Sequence, residues 1–307
     1  MSLFALIVAI LAQKFRPLSS RDPVSGWLES SVDGIEHYFN AGERRFGIAA
    51  WFTLVLSMLV PLAIASYLLG RAMPFAPWLL GALVLYLTLR FRAILTEYTA
   101  VARSLRAHDI DQARELLGQC LGRPVLQYDA TQIAKAAIEY AFINCYRGLF
   151  ATVFWFVVLP GPGGALVYRG AFIAAQRWKH DPGSGEHDFG WFAHRMFELM
   201  DWIPQRLTAV SFAIVGDFED ALYCWRSQAT QWGNLAEGIV LASAAGALGA
   251  RLGDPLTETE GVRYRPELGI GDQADADYMQ SAEGLIWRAL VLWAVVLLLL
   301  AVFTMLL

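Results

Sequence analysis

Charge is scarce in this chain. Asp, Glu, Lys and Arg make up 17% of its 307 residues, against about 25% in ordinary globular domains. Such a chain is not disordered, because disorder needs polarity and charge to keep apolar groups from collapsing. It also lacks a basic excess. Its 24 Lys and Arg against 28 Asp and Glu leave a formal charge of −4, the wrong sign for a phosphate-binding surface, so no nucleic-acid partner is expected. Cysteine is rare too: Cys120, Cys145 and Cys224 are widely spaced and form no C-x-x-C pair, which excludes a disulfide framework and the usual zinc clusters. The chain has no G-x-x-x-x-G-K-[ST], no H-E-x-x-H and no G-x-G-x-x-G after a strand. Gly161-Pro162-Gly163-Gly164 is glycine-rich, but it sits in an apolar segment without a lysine and is a weak phosphate site.

What the chain does have is apolar bulk. Hydrophobic residues reach 56%, with eleven Trp and eighteen Phe, and mean hydropathy is +0.42. A helix needs about 20 apolar residues to cross a bilayer core of ~30 Å. Gly47–Leu69 and Met73–Leu89 are uncharged and separated only by Gly70, Arg71 and Ala72, which reads as a transmembrane helical hairpin. Ala289–Leu307 is a third uncharged span. Gly148–Tyr168 is apolar but broken by Pro160-Gly161-Pro162-Gly163-Gly164. Proline removes a backbone donor and blocks helix continuation, so this segment is either a kinked span or a re-entrant pair of half-helices.

Five basic residues precede Gly47, eight run from Arg90 to Arg147, and ten from Arg169 to Arg288. The positive-inside rule places the first two groups in the cytoplasm. A re-entrant Gly148–Tyr168 would keep the third group there as well, and charge counting therefore favours re-entry. Met1–Ala12 is apolar but too short to span, and without a signal-peptide cleavage pattern it reads as an interfacial anchor. The expected location is a bacterial inner membrane, crossed several times, with the soluble parts mainly cytoplasmic.

Between the spans the spacing is helical. Ile94, Leu95, Tyr98, Val101, Ala102 and Leu105 form one stripe, a second helix begins near Asp109 and is broken by Gly122-Arg123-Pro124, and Thr131–Tyr146 is a third. These are expected to pack on one another at the cytoplasmic surface. No alternation of period two persists, so the fold class is all-α and polytopic, with amphipathic cytoplasmic helices. His180, Asp181, Glu186, His187 and Asp188 offer ligand types for Mg²⁺, Mn²⁺ or Zn²⁺. Their spacing matches no sharp motif and Pro182–Gly185 make a turn, so a solvated loop is expected and no metal centre. Asp217, Glu219 and Asp220 after apolar Leu207–Val215 mark either a polar cavity or simply a helix emerging into water.

Several stretches together resemble the CobD/CbiB–AmpE family of bacterial inner-membrane proteins. They include Ala113-Arg114-Glu115-Leu116-Leu117 with Gly122-Arg123, Ala137-Ile138-Glu139, Gly163–Arg169, Phe189–Arg195, Trp202–Leu207 and Gly246–Gly253. On this likeness the chain divides into an N-terminal anchor and loop (1–46), the transmembrane hairpin (47–89), a cytoplasmic helical segment (90–147), a CobD/CbiB-like core with the broken segment (148–288) and a C-terminal span (289–307).

In the CobD/CbiB branch the resemblance implies adenosylcobinamide-phosphate synthase, which joins an aminoalcohol phosphate to a corrinoid acid in cobalamin biosynthesis. Several of that branch's polar positions are apolar or altered here: Pro124-Val125, Ile143, Arg147, Ile173-Ala174-Ala175-Gln176 and Phe197. Val153–Phe156, Leu199–Leu207 and Ile214–Leu222 look more like the AmpE branch. The expectation is therefore an AmpE-like accessory or sensory protein, linked to β-lactamase induction and cell-wall signalling, that binds a ligand or partner and lacks synthase activity. The alternative is the synthase itself, with Mg²⁺ and a corrinoid implied only in that case. Expected partners are the bilayer, a corrinoid, nucleotide or cell-wall-derived ligand, and another membrane protein. Glu139, Asn144, Tyr168, Arg169, Asp201 and Arg206 are expected to line a ligand pocket beside the Pro/Gly turn, the two arginines holding an anionic group by forked hydrogen bonds.

Overall fold

The computed structural model describes residues 23–306 apart from 74, 160, 182, 184–186, 259 and 260. The Met1–Ala12 segment, read above as an anchor, lies outside the described residues. In chain order the helices are α1 (Pro23–Phe39), α2 (Arg44–Ala72), α3 (Ala76–Thr88), α4 (Phe91–Arg106), α5 (Ile110–Leu121) and α6 (Ala130–Cys145). After a π-helical turn at Tyr146–Phe150 come α7 (Ala151–Val158), α8 (Gly163–Arg177), α9 (Trp191–Val215), α10 (Phe218–Gln228), α11 (Leu235–Leu248) and α12 (Ala276–Leu306). The described strands have two or three residues each: β1 (Ala250–Arg251) pairs in parallel with β4 (Asp272–Gln273), and β2 (Leu256–Glu258) antiparallel with β3 (Gly261–Arg263). The protein is an all-α polytopic membrane protein.

Four helical stretches are long and apolar enough to cross a membrane: Arg44–Ala72, Ala76–Arg106, Ala130–Val158 and Ala276–Phe303. The third differs from the sequence-based expectation of a surface helix at Thr131–Tyr146. Instead α6 runs through the π-turn into α7 as a 29-residue stretch. The reason lies in burial on every side of α6, where even Lys135 and Glu139 are buried and compensated by partners distant in sequence. The last helix likewise starts earlier than its apolar run, at Ala276.

The chain forms two compact units. The first comprises the described residues of 23–90 and 151–203. Its core gathers Leu28 and Val32 from α1, Leu54 and Met58 from α2, Ile173 and Ala174 from α8, and Trp178 and Phe189 from the loop beyond. Gly47 lets α2 reach that loop, because a Cβ there would stand 2.0 Å from the Phe189 carbonyl oxygen. Between α7 and α8 the chain doubles back through Gly161, whose φ of +79° suits glycine. Gly164 completes the reversal, since a Cβ on it would lie 2.0 Å from the Trp155 carbonyl oxygen. The Pro/Gly break thus ends one helix and starts its antiparallel neighbour, and α7, continuing α6, is part of a full-length helix rather than a half-helix.

The second unit comprises residues 91–150 and 204–307. The stripe Ile94, Leu95, Tyr98, Val101, Ala102 and Leu105 is buried, and the Tyr98 hydroxyl donates to the Met279 carbonyl at 2.7 Å. Asp109 caps α5 by accepting from Gln112 N, and Gly122 closes it in the left-handed conformation. Asp217 caps α10 by accepting from Asp220 N, so the acids after α9 start the next helix, with Asp217 and Glu219 exposed and Asp220 half-buried. Small residues let α11 sink into the core: a Cβ on Gly246 would meet the Asp220 carbonyl at 2.4 Å. Phe212 packs edge-on against Phe142 and Phe150.

Candidate functional site

Within the second unit lies a cavity of about 520 Å³, in the size range of small-ligand sites. One wall is the α6 face carrying Glu139, Tyr140, Ile143 and Asn144; the others come from Trp232–Asn234 and the loop ending at Tyr264–Pro266. Residues 139, 140, 143 and 144 share one helical face by their spacing of three and four. A capping box at Asp129 and Gln132 fixes where that helix begins.

Two charged residues one turn apart on α6 hold the loop that forms the far wall. Buried Lys135 pairs with Asp254. Buried Glu139 accepts from Gly253 N at 2.9 Å and from Arg265, with Nη1 to Oε2 at 2.5 Å and Nη2 to Oε1 at 3.3 Å. Arg265 also donates to the Gly253 and Asp254 carbonyls and stacks 5.3 Å from the Trp232 ring centroid. The turn itself is constrained: Gly253 and Asp254 both have positive φ, and a Cβ on Gly253 would lie 2.1 Å from the Pro266 carbonyl oxygen. Burial pushes the Asp254 carboxyl up, but a hydrogen bond from Lys135, a hydrogen bond shared with Glu267 and the charges of Lys135 and Arg251 outweigh it. The net effect lies below the ordinary carboxylate value.

Two cavity residues are held by partners outside its lining: Tyr140 donates to Glu97 Oε2 at 2.5 Å, and Glu237 pairs with Arg147 at 3.1 Å. Asn144 Nδ2 donates to the Tyr140 carbonyl at 2.9 Å, which leaves its amide oxygen for a ligand donor. Arg123, which donates to the Tyr128 hydroxyl, also borders the cavity.

Of the six residues expected from sequence, Glu139 and Asn144 line this cavity. Tyr168 and Asp201 lie in the first unit, where the Tyr168 hydroxyl donates to Asp201 Oδ1 at 2.8 Å between buried side chains. Arg169 is buried in that unit too, its guanidinium 5.7 Å from the Phe172 ring centroid. Arg206 is half-buried in the second unit and does not border the cavity. Sequence reading missed Arg265, Trp232, Tyr140 and Arg123. Arg265 stood in a loop with no periodicity, and nothing in spacing ties it to Glu139 across 126 positions.

The synthase reading implies carboxylate-held Mg²⁺, and the donors around the cavity do not fit it. Glu139 is neutralised by Arg265 and Glu237 by Arg147, while Asn144 and the tyrosines supply only neutral oxygens.

A polytopic helical membrane protein with a largely apolar cavity bordered by arginines is the class these features define. The chain belongs to the CobD/CbiB family: the family model described as CobD/Cbib protein matches residues 4–286. It is similar to the cobalamin biosynthesis protein CobD of Stutzerimonas stutzeri, with 35% identity over 271 residues, 87% of each chain. The protein of the same name from Chromobacterium violaceum is 32% identical over 237 residues, covering 77% of this chain and 75% of the relative. That of Photorhabdus laumondii is 30% identical over 216 residues, covering 68% and 66%. No solved structure matches.

These findings overturn the AmpE-like expectation, since the relatives carry the CobD name and nothing in the comparisons points to AmpE or β-lactamase signalling. The physical reason is visible in the stretches that suggested it. Leu199, Trp202, Ile203 and Leu207 are exposed apolar side chains. Lipid-compatible faces accept many apolar residues interchangeably, so their identities say little about which branch a chain belongs to.

Proposed function

We propose that the protein acts in cobalamin biosynthesis as a membrane-bound synthase that joins an aminoalcohol phosphate to the carboxylic acid of a corrinoid. The observation that carries this is the run of relatives named cobalamin biosynthesis protein CobD, the first spanning 87% of the chain at 35% identity. The cavity supports it chemically. Arg123 brings a positive charge to the cavity edge, which suits a phosphate monoester, while Arg265, already paired with Glu139, frames the wall. Trp232, Ile143 and Leu256 give apolar walls, and the Asn144 amide can orient a polar group. Glu139 acts through Arg265, fixing its guanidinium plane. On this reading the cavity takes the small phosphorylated partner, because about 520 Å³ suits a compact ligand better than a whole corrinoid. We place the protein in the bacterial inner membrane with this cavity on the cytoplasmic side, in keeping with the eight basic residues between Arg90 and Arg147.

The test is an assay of the purified, detergent-solubilised chain for joining aminopropanol phosphate to adenosylcobyric acid, paired with rescue of a synthase-deletion strain. Product above background and growth without added cobalamin are expected. Absence of both, from protein that is folded and inserted, overturns the reading.

A further inference from the structure

The first unit contains a pair of imidazoles that the proposed synthesis does not use. His180 follows the end of α8, and His194 lies in the first turn of α9. Their ring centroids are 4.8 Å apart with the planes tilted by 40°, and both rings border one cavity of about 390 Å³. Each ring is fixed through Nδ1. His180 Nδ1 lies 2.7 Å from Oδ2 of Asp188, whose side chain is fully buried. His194 Nδ1 lies 3.2 Å from the Gly190 carbonyl oxygen. A carboxylate and a carbonyl can only accept, so in both neutral rings Nδ1 carries the hydrogen and Nε2 carries the lone pair. Neither Nε2 is engaged by another described residue.

Imidazoles that bind metal commonly have this arrangement, with the outer nitrogen donated to a carboxylate or backbone carbonyl and the other left open. The separation also fits. Two imidazoles on one ion, at about 2.0–2.1 Å per bond and roughly 90–110° between bonds, have centroids about 4.5–5.2 Å apart. We infer that His180 and His194 form a two-imidazole site for a divalent transition-metal ion such as Zn²⁺, clasping the end of α8 to the start of α9. Among the described residues no three His, Cys, Asp or Glu side chains are gathered around a point, so water completes the ion's shell. The other groups bordering the cavity are Arg195 and Glu198, exposed and 3.3 Å from each other. Gly190 is needed for the loop to close, because a Cβ there would lie 2.4 Å from the Lys179 carbonyl oxygen.

The test is calorimetric titration of the full, tag-free chain in detergent with Zn²⁺ at pH 7.5. One saturable ion per chain is expected. His180→Ala and His194→Ala should each weaken binding at least tenfold, and Asp188→Asn by about tenfold. The chain has five histidines, and the triple variant His37→Ala, His108→Ala, His187→Ala should bind as the parent does. If the alanine variants fail to fold, His194→Gln decides the matter. No saturable binding by the parent, unchanged binding by the double variant H180A/H194A, or loss of binding in the triple variant overturns the assignment.

Discussion

Arg265 holds Glu139 with both arms of its guanidinium, Nη1 to Oε2 at 2.5 Å and Nη2 to Oε1 at 3.3 Å, joining positions 126 residues apart. Both side chains are largely buried, and the pair locks the loop wall of the cavity onto α6.

Breaking one half of that pair should be costly. Glu139→Ala leaves a buried guanidinium without its anion, and a loss of about 3–5 kcal/mol is expected. The double variant E139M/R265M should recover most of it, since two apolar groups leave no orphan charge. Thermal unfolding midpoints in detergent check both, and equal destabilisation of single and double variants would contradict the burial argument.

Gly253→Ala should distort the same loop. The position has φ +78°, and the new methyl carbon would sit 2.1 Å from the Pro266 carbonyl oxygen. A loss of about 1–3 kcal/mol is expected, together with weaker phosphate-ester binding measured by calorimetry. Unchanged stability would mean that the turn relaxes freely.

Acid should loosen this loop through Asp254. Its folded pKa is lowered from 3.8, so the unfolded chain takes up a proton first. The carboxylate therefore contributes stability that is full well above pH 3.8 and declines as pH falls through that value toward the folded pKa. Asp254→Asn should flatten this part of the acid-unfolding profile. An unaltered profile in the variant would assign the acid sensitivity to other carboxylates.

For the proposed synthesis, Trp232→Ala and Arg123→Ala should raise KM for the aminoalcohol phosphate more than they lower kcat. Trp232 stacks on Arg265, and Arg123 borders the cavity. A cation over a ring contributes roughly 0.5–2 kcal/mol, so up to about a thirtyfold rise is expected for the tryptophan. A pure kcat effect would place these residues elsewhere in the reaction.

Cys120 should be a slow thiol. Burial, the nearby Glu97 charge and only a partial opposing backbone hydrogen bond push its pKa up to about 12, so little thiolate exists at pH 7.5. Alkylation by iodoacetamide should be far slower than for a free thiol and rise with pH; rapid modification at neutral pH would contradict that environment.

Local signals carried a good part of the architecture. The absence of charge from Gly47–Leu69 and Ala289–Leu307, the stripe from Ile94 to Leu105, the cap at Asp109 and the break at Pro160–Gly164 each act within a few residues, where hydration, helix period and steric exclusion operate. They mark where helices run and stop in the structure, although α6 is buried because partners compensate Lys135 and Glu139, and α12 begins ahead of its apolar run with Asp277, Gln280 and Arg288 exposed. Of the cavity wall, the family resemblance singled out Glu139 and Asn144, which share one helical face, though it expected them beside the Pro/Gly turn.

The remainder depended on contacts between distant parts of the chain. Arg265 and Trp232 come from irregular segments, and His180 meets His194 only because the intervening loop closes on Gly190. The sequence by itself determined a membrane-spanning helical chain, because transfer of apolar residues from water and backbone geometry are local properties, while its family came from resemblance to known proteins. Only the tertiary structure decided which charges neutralise one another and which imidazoles face one cavity, because burial and Coulomb attraction depend on distance in space rather than position along the chain.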